Sequence, residues 1–473
     1  MIIGLYIILL YAISFFTARL SSKGGMVGYF LAGRGLPMGV TAVMLAGLAV
    51  GGASTVGVAQ RAYTFGISAG WYNAAWAFGA VIMGLLAAAR YRKMEVSTLP
   101  ELFERHYGTS GRVLGVFGQL VIQVVITSLQ YVAGGAILSA LLPELFDFQT
   151  GMFVTAGVFI GITLIGGLWA AGITNIINVI LIYVGVVTGA VLLFSDALDH
   201  VGGFENLTAH LQSLTPPNPG FELGALGAPL IVAWFLIMIS TALGTQAVVQ
   251  ISFASKTPAA ARGGFLLGGL IILPVGFISA LIGIAAAVFH PGLANTAEAL
   301  PLTVLDLHPV LAGLILAGLW AADVSTACGL LLGSATLVVG DIIKRFFTVG
   351  ISERGEWWLS RGAVLLLSVI TLLLALFVKD ILTTLLAGLT LNTAYALITL
   401  MTLFFPRLCR KGSAVWTLAL SMLSLGAWFL FPAAWQKAWF HPIYFVLPVT
   451  LLTFLVVTVV DRRPVKSPDQ REP

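Results

Sequence analysis

The sequence predicts an all-α integral membrane bundle of about thirteen transmembrane helices. Three observations carry that reading. Of the 473 residues, 59% are hydrophobic and only 9% charged, whereas soluble domains run at about 45–50% apolar and about 25% charged. The apolar residues stand in long continuous runs, without the alternating polar residues that mark an outer-membrane barrel. The charges that remain sort by loop, as shown below. A balance of 24 basic against 19 acidic residues leaves +5, and no basic run is present to make a nucleic-acid surface.

A hydrocarbon core takes about 20 apolar residues per helix. That ruler places segments at about 2–18, 38–66, 69–90, 112–142, 149–170, 173–195, 226–252, 259–288, 308–338, 358–378, 380–405, 412–431 and 443–460. The first segment carries its first basic residue, Arg19, after the apolar stretch, so it reads as a transmembrane helix and not a cleaved signal. The hydrophilic stretches 19–37, 91–111, 196–225, 289–307 and 339–357 are short enough to be loops. Residues 1–473 therefore read as one membrane domain, with 461–473 as a cytoplasmic tail. With the N-terminus outside, alternate loops put every basic residue on the cytoplasmic side except Lys379, Lys437 and Arg61. The positive-inside rule thus supports an odd helix count, an N-out, C-in orientation and a plasma (inner) membrane location.

Chemistry-bearing residues are sparse. Cys328 and Cys409 form no disulfide framework, CxxC pair or zinc spacing. The six histidines make no HExxH or HxxxH set. A membrane-embedded enzyme would need a convergent His/Asp/Glu or Ser/His constellation, and the sequence offers none; no enzyme activity and no cofactor are expected.

Two segments are interrupted instead. The second contains Gly47, Gly51, Gly52 and Gly57 within eleven residues, each costing a helix roughly 1 kcal/mol against alanine. Gly47 and Gly51 stand four apart, which also suits close helix packing. The alternative is an unwound stretch whose freed carbonyls face a cation, a solute or water. Five segments later, Ser240, Thr241, Gly244, Thr245 and Gln246 make a second small and polar patch at mid-span. Paired interruptions in two five-helix halves point to an inverted-repeat transporter with a central site.

Several stretches resemble the sodium/solute symporter family, which includes proline, pantothenate, sialic acid, galactose and choline transporters. They are Tyr29 to Arg34, Gly57 to Tyr63 with Gly66, and Thr98-Leu99-Pro100-Glu101 with Arg105 and Gly108. Gly166-Gly167 with Thr174, and Ala321-Ala322 with Ser325-Thr326 ending in Asp341 to Lys344, complete the set. The resemblance implies a leucine-transporter-type five-plus-five repeat: residues 38–195 and 226–405, one helix before (2–18) and two after (412–460). It further implies a sodium site made by Gly47 and Val50 of the broken helix and by Ala322, Ser325 and Thr326 of the eighth core helix. A hard monovalent cation wants several neutral oxygens, which such a set supplies. The residues alone leave open that Ser325 and Thr326 merely bond back to their own helix.

Some members hold a second sodium with an aspartate and further hydroxyls; here those positions carry Asn175, Asn178, Cys328 and Gly329. One sodium per solute is the expectation. Asp323 and Arg61 are the two charges placed well inside segments, and intramembrane ionisable residues are functional by default. Asp323, three residues before Thr326, could sit by the cation, titrate in proton coupling, or pair with Arg61; Arg61 could instead meet a solute carboxylate. Residues expected at the solute cavity are Ser54, Asn73, Trp76, Thr245 and Gln246. Trp71, Tyr72 and Trp76 could wall a solute ammonium or, more commonly for aromatics near helix ends, anchor at the interface.

The sequence therefore predicts a sodium-coupled symporter for a small polar solute such as an amino acid or organic acid. A proton-coupled carrier using Asp323 is the alternative, and a membrane sensor is a weaker one. Sodium, the solute and the bilayer are the expected partners.

Overall fold

The computed structural model describes residues 2–21, 28, 30–347, 352–377 and 381–465. Tyr29, Lys23, Lys379 and the tail beyond Val465 lie outside the described residues, as does the side chain of Ser325. Apart from two isolated backbone bridges, every regular element among the described residues is helical. Ten helices are long and apolar enough to cross a bilayer, or eleven when one bent pair counts as a single span.

The elements follow in order: α1 (Ile2–Ser21), α2 (Met38–Ala49), α3 (Val58–Phe65), α4 (Trp71–Leu86), α5 (Leu99–Tyr107), α6 (Thr109–Leu141) and α7 (Phe148–Val201). Then come α8 (Ala228–Gly244), α9 (Gln246–Ala254), α10 (Pro258–Phe289), α11 (Ala299–Leu305), α12 (Pro309–Thr336) and α13 (Glu353–Ala375). The chain closes with α14 (Ile381–Leu389), α15 (Asn392–Phe404), α16 (Ser413–Leu430) and α17 (Ile443–Val460).

Three boundaries differ from the sequence reading. The segment expected at 38–66 is divided into α2, a π-turn at Ala53–Gly57 and α3. The segments expected at 149–170 and 173–195 join into the 54-residue run of α7. Its parts Phe148–Ile165 and Ala171–Val201 are each long and apolar enough to span. The segment expected at 380–405 is split by a turn at Thr390-Leu391 into α14 and α15.

Two groups of helices make the core. In the first, α10 lies along α2, α3 and α4, and α8 packs on α4. Glycines on α10 let the backbones approach: a methyl at Gly268 would stand 2.9 Å from Leu45, and one at Gly276 2.7 Å from Asn73, the small-residue packing of membrane helices. In the second group, α12 packs on α6 and α7, with α13 beside them. Both interrupted helices belong to the first group and face α6 and α12 of the second.

One end of the bundle gathers the basic loops. Thr98 caps α5 by accepting from the Glu101 N–H, while Glu101 accepts from the Ser97 N–H, a reciprocal pair of bonds that fixes where the chain turns into α5. Leu36, just before α2, exchanges backbone hydrogen bonds with Ala254 and Lys256 at the end of α9. The two interrupted helices are thereby tied together at this end.

Candidate functional site

The first interruption is a true break. Helix α2 ends at Ala49, and Val50 (φ −99°, ψ 77°) turns its carbonyl out of the ladder. The Gly52 N–H, which an unbroken helix would spend on Leu48, donates instead to Gln130 Oε1 at 3.0 Å. The Ser54 N–H goes to Gly51 and not to Val50. Carbonyls of Leu48 and Val50 are thus released from their usual donors. Across the gap, Thr326 of α12 donates to Gly47 O at 2.8 Å, with Leu48 O at 3.4 Å.

Close approach explains the glycines. A methyl on Gly51 would stand 2.5 Å from Gln130 Oε1 and 2.6 Å from Thr326 Oγ1, and one on Gly52 2.6 Å from Asp323 Oδ1. The break therefore sits directly against α6 and α12. Gly47, Val50, Ala322 and Thr326 are all buried; four of the five expected cation ligands can be described, and Gly47 and Thr326 are in contact. Asn175 also reaches this place, its amide packed against Gly47. Cys328 turns its thiol to Phe159 O on α7.

Asp323 is fully buried, and neither carboxylate oxygen has a hydrogen-bond partner among the described residues. The expected pairing with Arg61 is not formed. Arg61 donates to Thr383 Oγ1 at 2.8 Å and lies 5.6 Å from the Phe65 ring centre. It sits on α3, beyond the break, and reaches α14 and not α12.

The second interruption falls at Thr245 (φ −85°, ψ 128°), where α8 and α9 bend by 47°. Gln119 of α6 bridges it, donating to Gly244 O at 2.6 Å and accepting from the Gln246 N–H at 2.7 Å. Gln119 and Gln130 stand eleven residues apart, three helical turns, on one face of α6. A single helix face thus holds both breaks. The sequence reading missed these glutamines because it weighed charges and glycines, although polar amides recurring on one face of an apolar helix carry the same kind of signal.

The expected solute residues separate. Among the described residues, Asn73 is fully buried with no partner for either amide atom, and Thr245 Oγ1 is likewise buried and unpartnered. Ser54 is committed to the break, bonding to Ala49 O. Gln246 is committed as well: its Oε1 accepts from the Leu99 N–H at 2.8 Å, a donor at the start of α5 that has no partner within its own helix. Tyr72 and Trp76 lie inside the bundle, so the interface-anchor expectation fails for them. Trp71 fits it better, tied by its indole N–H to Leu223 O and stacked near Phe235 and Phe277.

The basic end is closed by a charge cluster. Arg112 bonds Asp341 at 2.6 Å and Glu104; Arg345 reaches Glu104 at 3.0 Å, and Thr98 donates to Asp341 at 3.0 Å. It joins α5 and α6 to the π-turn Leu337–Ile343 after α12. Burial raises the Glu104 carboxyl, but hydrogen bonds from Arg112 and Arg345 outweigh it and hold the group below the usual range.

Two interrupted helices, gripped by one face of a third and shut at one end by ions, define a multi-pass membrane transport protein. The sequence profile of the sodium:solute symporter family matches residues 29–420, and the chain belongs to that family. It is 25% identical to the high-affinity proline transporter PutP of Bacillus subtilis, over 85% of this chain and 86% of that one. It is 26% identical to a sodium/proline symporter of Haemophilus influenzae, over 92% and 90%. Among solved structures it superposes on a Na+-coupled sialic acid symporter with a TM-score of 0.78 at 15% identity, covering 98% of both chains. It also superposes on MhsT in complex with L-phenylalanine, with a TM-score of 0.56 at 15% identity over 89% and 98%. The chain is a transporter and not an enzyme, and its family implies a small-molecule substrate and a coupling ion.

Proposed function

We propose that this chain is a sodium-coupled symporter importing a small polar organic solute by alternating access. The observation that carries the reading is the broken helix, with the Leu48 and Val50 carbonyls released and the Thr326 hydroxyl bonded across the gap to Gly47 O. A sodium ion there would take oxygens from Gly47, Val50, Ala322, Ser325 and Thr326 without a fixed counter-charge among its ligands. Inward movement of each positive charge releases about 2.3 kcal/mol per 100 mV, enough for roughly fifty-fold accumulation before the sodium gradient is added.

The helices read as a five-plus-five repeat, 38–195 and 226–405, with one helix before and two after, thirteen in all. The N-terminus is assigned outside a plasma membrane and the basic end to the cytoplasm. Asn73 and Thr245, buried with polar atoms to spare, are the preferred solute contacts. Trp76 is a wall of the same cavity and Arg61 lies toward its outer side. The solute class is an amino acid or related organic acid, in keeping with relatives named as proline transporters. No cofactor beyond the ion is required.

Uptake of labelled proline by proteoliposomes, with and without an inward sodium gradient, is the test. Sodium-stimulated uptake at one sodium per proline supports the reading; a ratio of two overturns the single site, and sodium-independent uptake overturns the coupling. A second reading, proton coupling through Asp323, is favoured by its unpartnered buried carboxylate. A pH gradient driving uptake without sodium would establish it.

A further inference from the structure

Helix α6 carries a third buried glutamine. Gln123 lies four residues after Gln119 and seven before Gln130, so all three share a face. The other two clamp the breaks. Gln123 clamps neither break: it is fully buried, and among the described residues neither its Nε2 nor its Oε1 has a hydrogen-bond partner. A buried amide left wholly unpaired in a membrane interior calls for a functional explanation.

Its place supplies one. Gln123 Oε1 lies against Gly333 of α12, and Ala247 of α9 lies against the same glycine, 3.5 Å from where its methyl would stand. Gly333 is seven residues past Thr326, and Gln123 seven residues before Gln130, so both sit roughly 10 Å from the first break, toward the basic end. Farther along the same two helices, Arg112 and Asp341 close that end. From the break outward the order is Thr326, then the free amide, then the charge cluster. Helix α9, the segment beyond the second break, seals the amide from the side.

We propose that Gln123 is a relay ligand for the departing cation. When α9 withdraws, the face of α6 beside α12 becomes the water-filled route to the basic end, and Gln123 Oε1 coordinates the ion in transit. The chemistry suits a relay: an amide oxygen is neutral, strong enough to replace a water and too weak to hold a cation as a carboxylate would. Here the amide is unpaired because its partner is present only during passage. The proposal rests on the reading of the first break as a sodium site.

Two measurements on the full chain test it. The first uses Gln123→Cys with Cys328→Ala and Cys409→Ala in inverted membrane vesicles, probed with methanethiosulfonate ethylammonium. Labelling from the basic side, speeded at least threefold by Arg112→Gln and slowed by sodium, is expected. A thiol that stays unreactive with Arg112 replaced overturns the route. Should Gln123→Cys not fold, Ala247→Cys on α9 is labelled under the same conditions and read in the same way. The second follows tryptophan fluorescence after rapid sodium dilution of purified protein. Gln123→Leu slows release at least fivefold while the equilibrium sodium midpoint moves less than twofold, and Gln123→Asn restores most of the rate. Release at the wild-type rate from Gln123→Leu overturns the relay alone. A wild-type protein with no sodium response overturns the sodium site, and the relay with it.

Discussion

The Thr326 hydroxyl bonds the Gly47 carbonyl at 2.8 Å, joining α12 to a helix that ends two residues farther on. In an ordinary helix a threonine bonds back to its own turn, as Thr336 does to Leu332. Thr326 reaches across to a neighbouring helix, so an ion bound between the two would gain a ligand already aimed. Thr326→Ala removes that oxygen and is expected to weaken sodium binding about tenfold, equivalent to ~1.4 kcal/mol. Thr326→Ser should keep most of it. Sodium titration of the thermal midpoint in detergent distinguishes the two; equal midpoints for Ala and wild type would remove Thr326 from the site.

Asp323 separates the two coupling schemes. Its carboxylate is buried against Gly52 without a hydrogen-bond partner, and nothing in a low-dielectric interior offsets an isolated charge there. Asp323→Asn preserves shape and removes both the charge and the titration. If Asp323 contributes field to the cation, sodium affinity falls; if it carries the proton, pH-driven uptake disappears and sodium dependence is untouched. Unchanged sodium affinity together with an unchanged pH profile would end any coupling role.

Gly51 tolerates no side chain. A methyl there would meet Gln130 Oε1 at 2.5 Å and Thr326 Oγ1 at 2.6 Å, neither of which can retreat without breaking the arrangement at the break. Gly51→Ala should cost about 1–3 kcal/mol and reduce sodium binding along with stability. Gly4→Ala, at a position with nothing within 4 Å, serves as the control and should change neither.

The charge cluster at the basic end predicts a pH profile by its sign. Glu104 titrates below its ordinary range in the folded protein, so its contribution is present above that range and is lost as pH falls through the lowered value. The Glu104 share of the closure should therefore be complete at neutral pH and be lost only as pH falls through its lowered value. Glu104→Gln should open the end at neutral pH and flatten the acid response. Labelling of a cysteine placed at Gln123 reports both, and an acid response that survives in Glu104→Gln would assign it to another member of the cluster, such as Asp341.

Much of this was readable in the sequence, and for a physical reason. A membrane taxes charge and broken backbone so heavily that Gly47 to Gly57 and Ser240 to Gln246 could be marked as breaks from composition alone. Both breaks are found there. Side-chain destinations were less legible. Gln246 lies at a break, as a solute ligand should, yet it spends its amide on Leu99. Arg61 and Asp323 are the two buried-looking charges, yet Arg61 bonds Thr383. Each outcome depends on which distant element lies within a few ångströms, information that helical spacing within one segment does not hold. The glutamines of α6 were legible and overlooked: three amides on one face of an apolar helix mark a polar seam before any contact is known.

Gln119 gives the sharpest test of that seam. Its amide spans the second break, donating to Gly244 O and accepting from the Gln246 N–H. These backbone groups lie where the helix ladder fails, buried inside the bundle. Gln119→Leu deletes donor and acceptor together and leaves two buried groups unpaired, each at about 1–3 kcal/mol. A loss of about 2–6 kcal/mol is therefore expected, in thermal or denaturant unfolding of purified protein. Gln119→Glu keeps an acceptor for the Gln246 N–H but sets a carboxylate oxygen against the Gly244 carbonyl, so it should fall between Leu and wild type only where the carboxyl is protonated. Stability of Gln119→Glu that rises as pH is lowered, with Gln119→Leu flat across the same range, would identify the bond to Gly244 as the one that holds the break. Two flat, equal profiles would instead assign the loss to packing, since leucine and glutamate share the volume but not the hydrogen bonds.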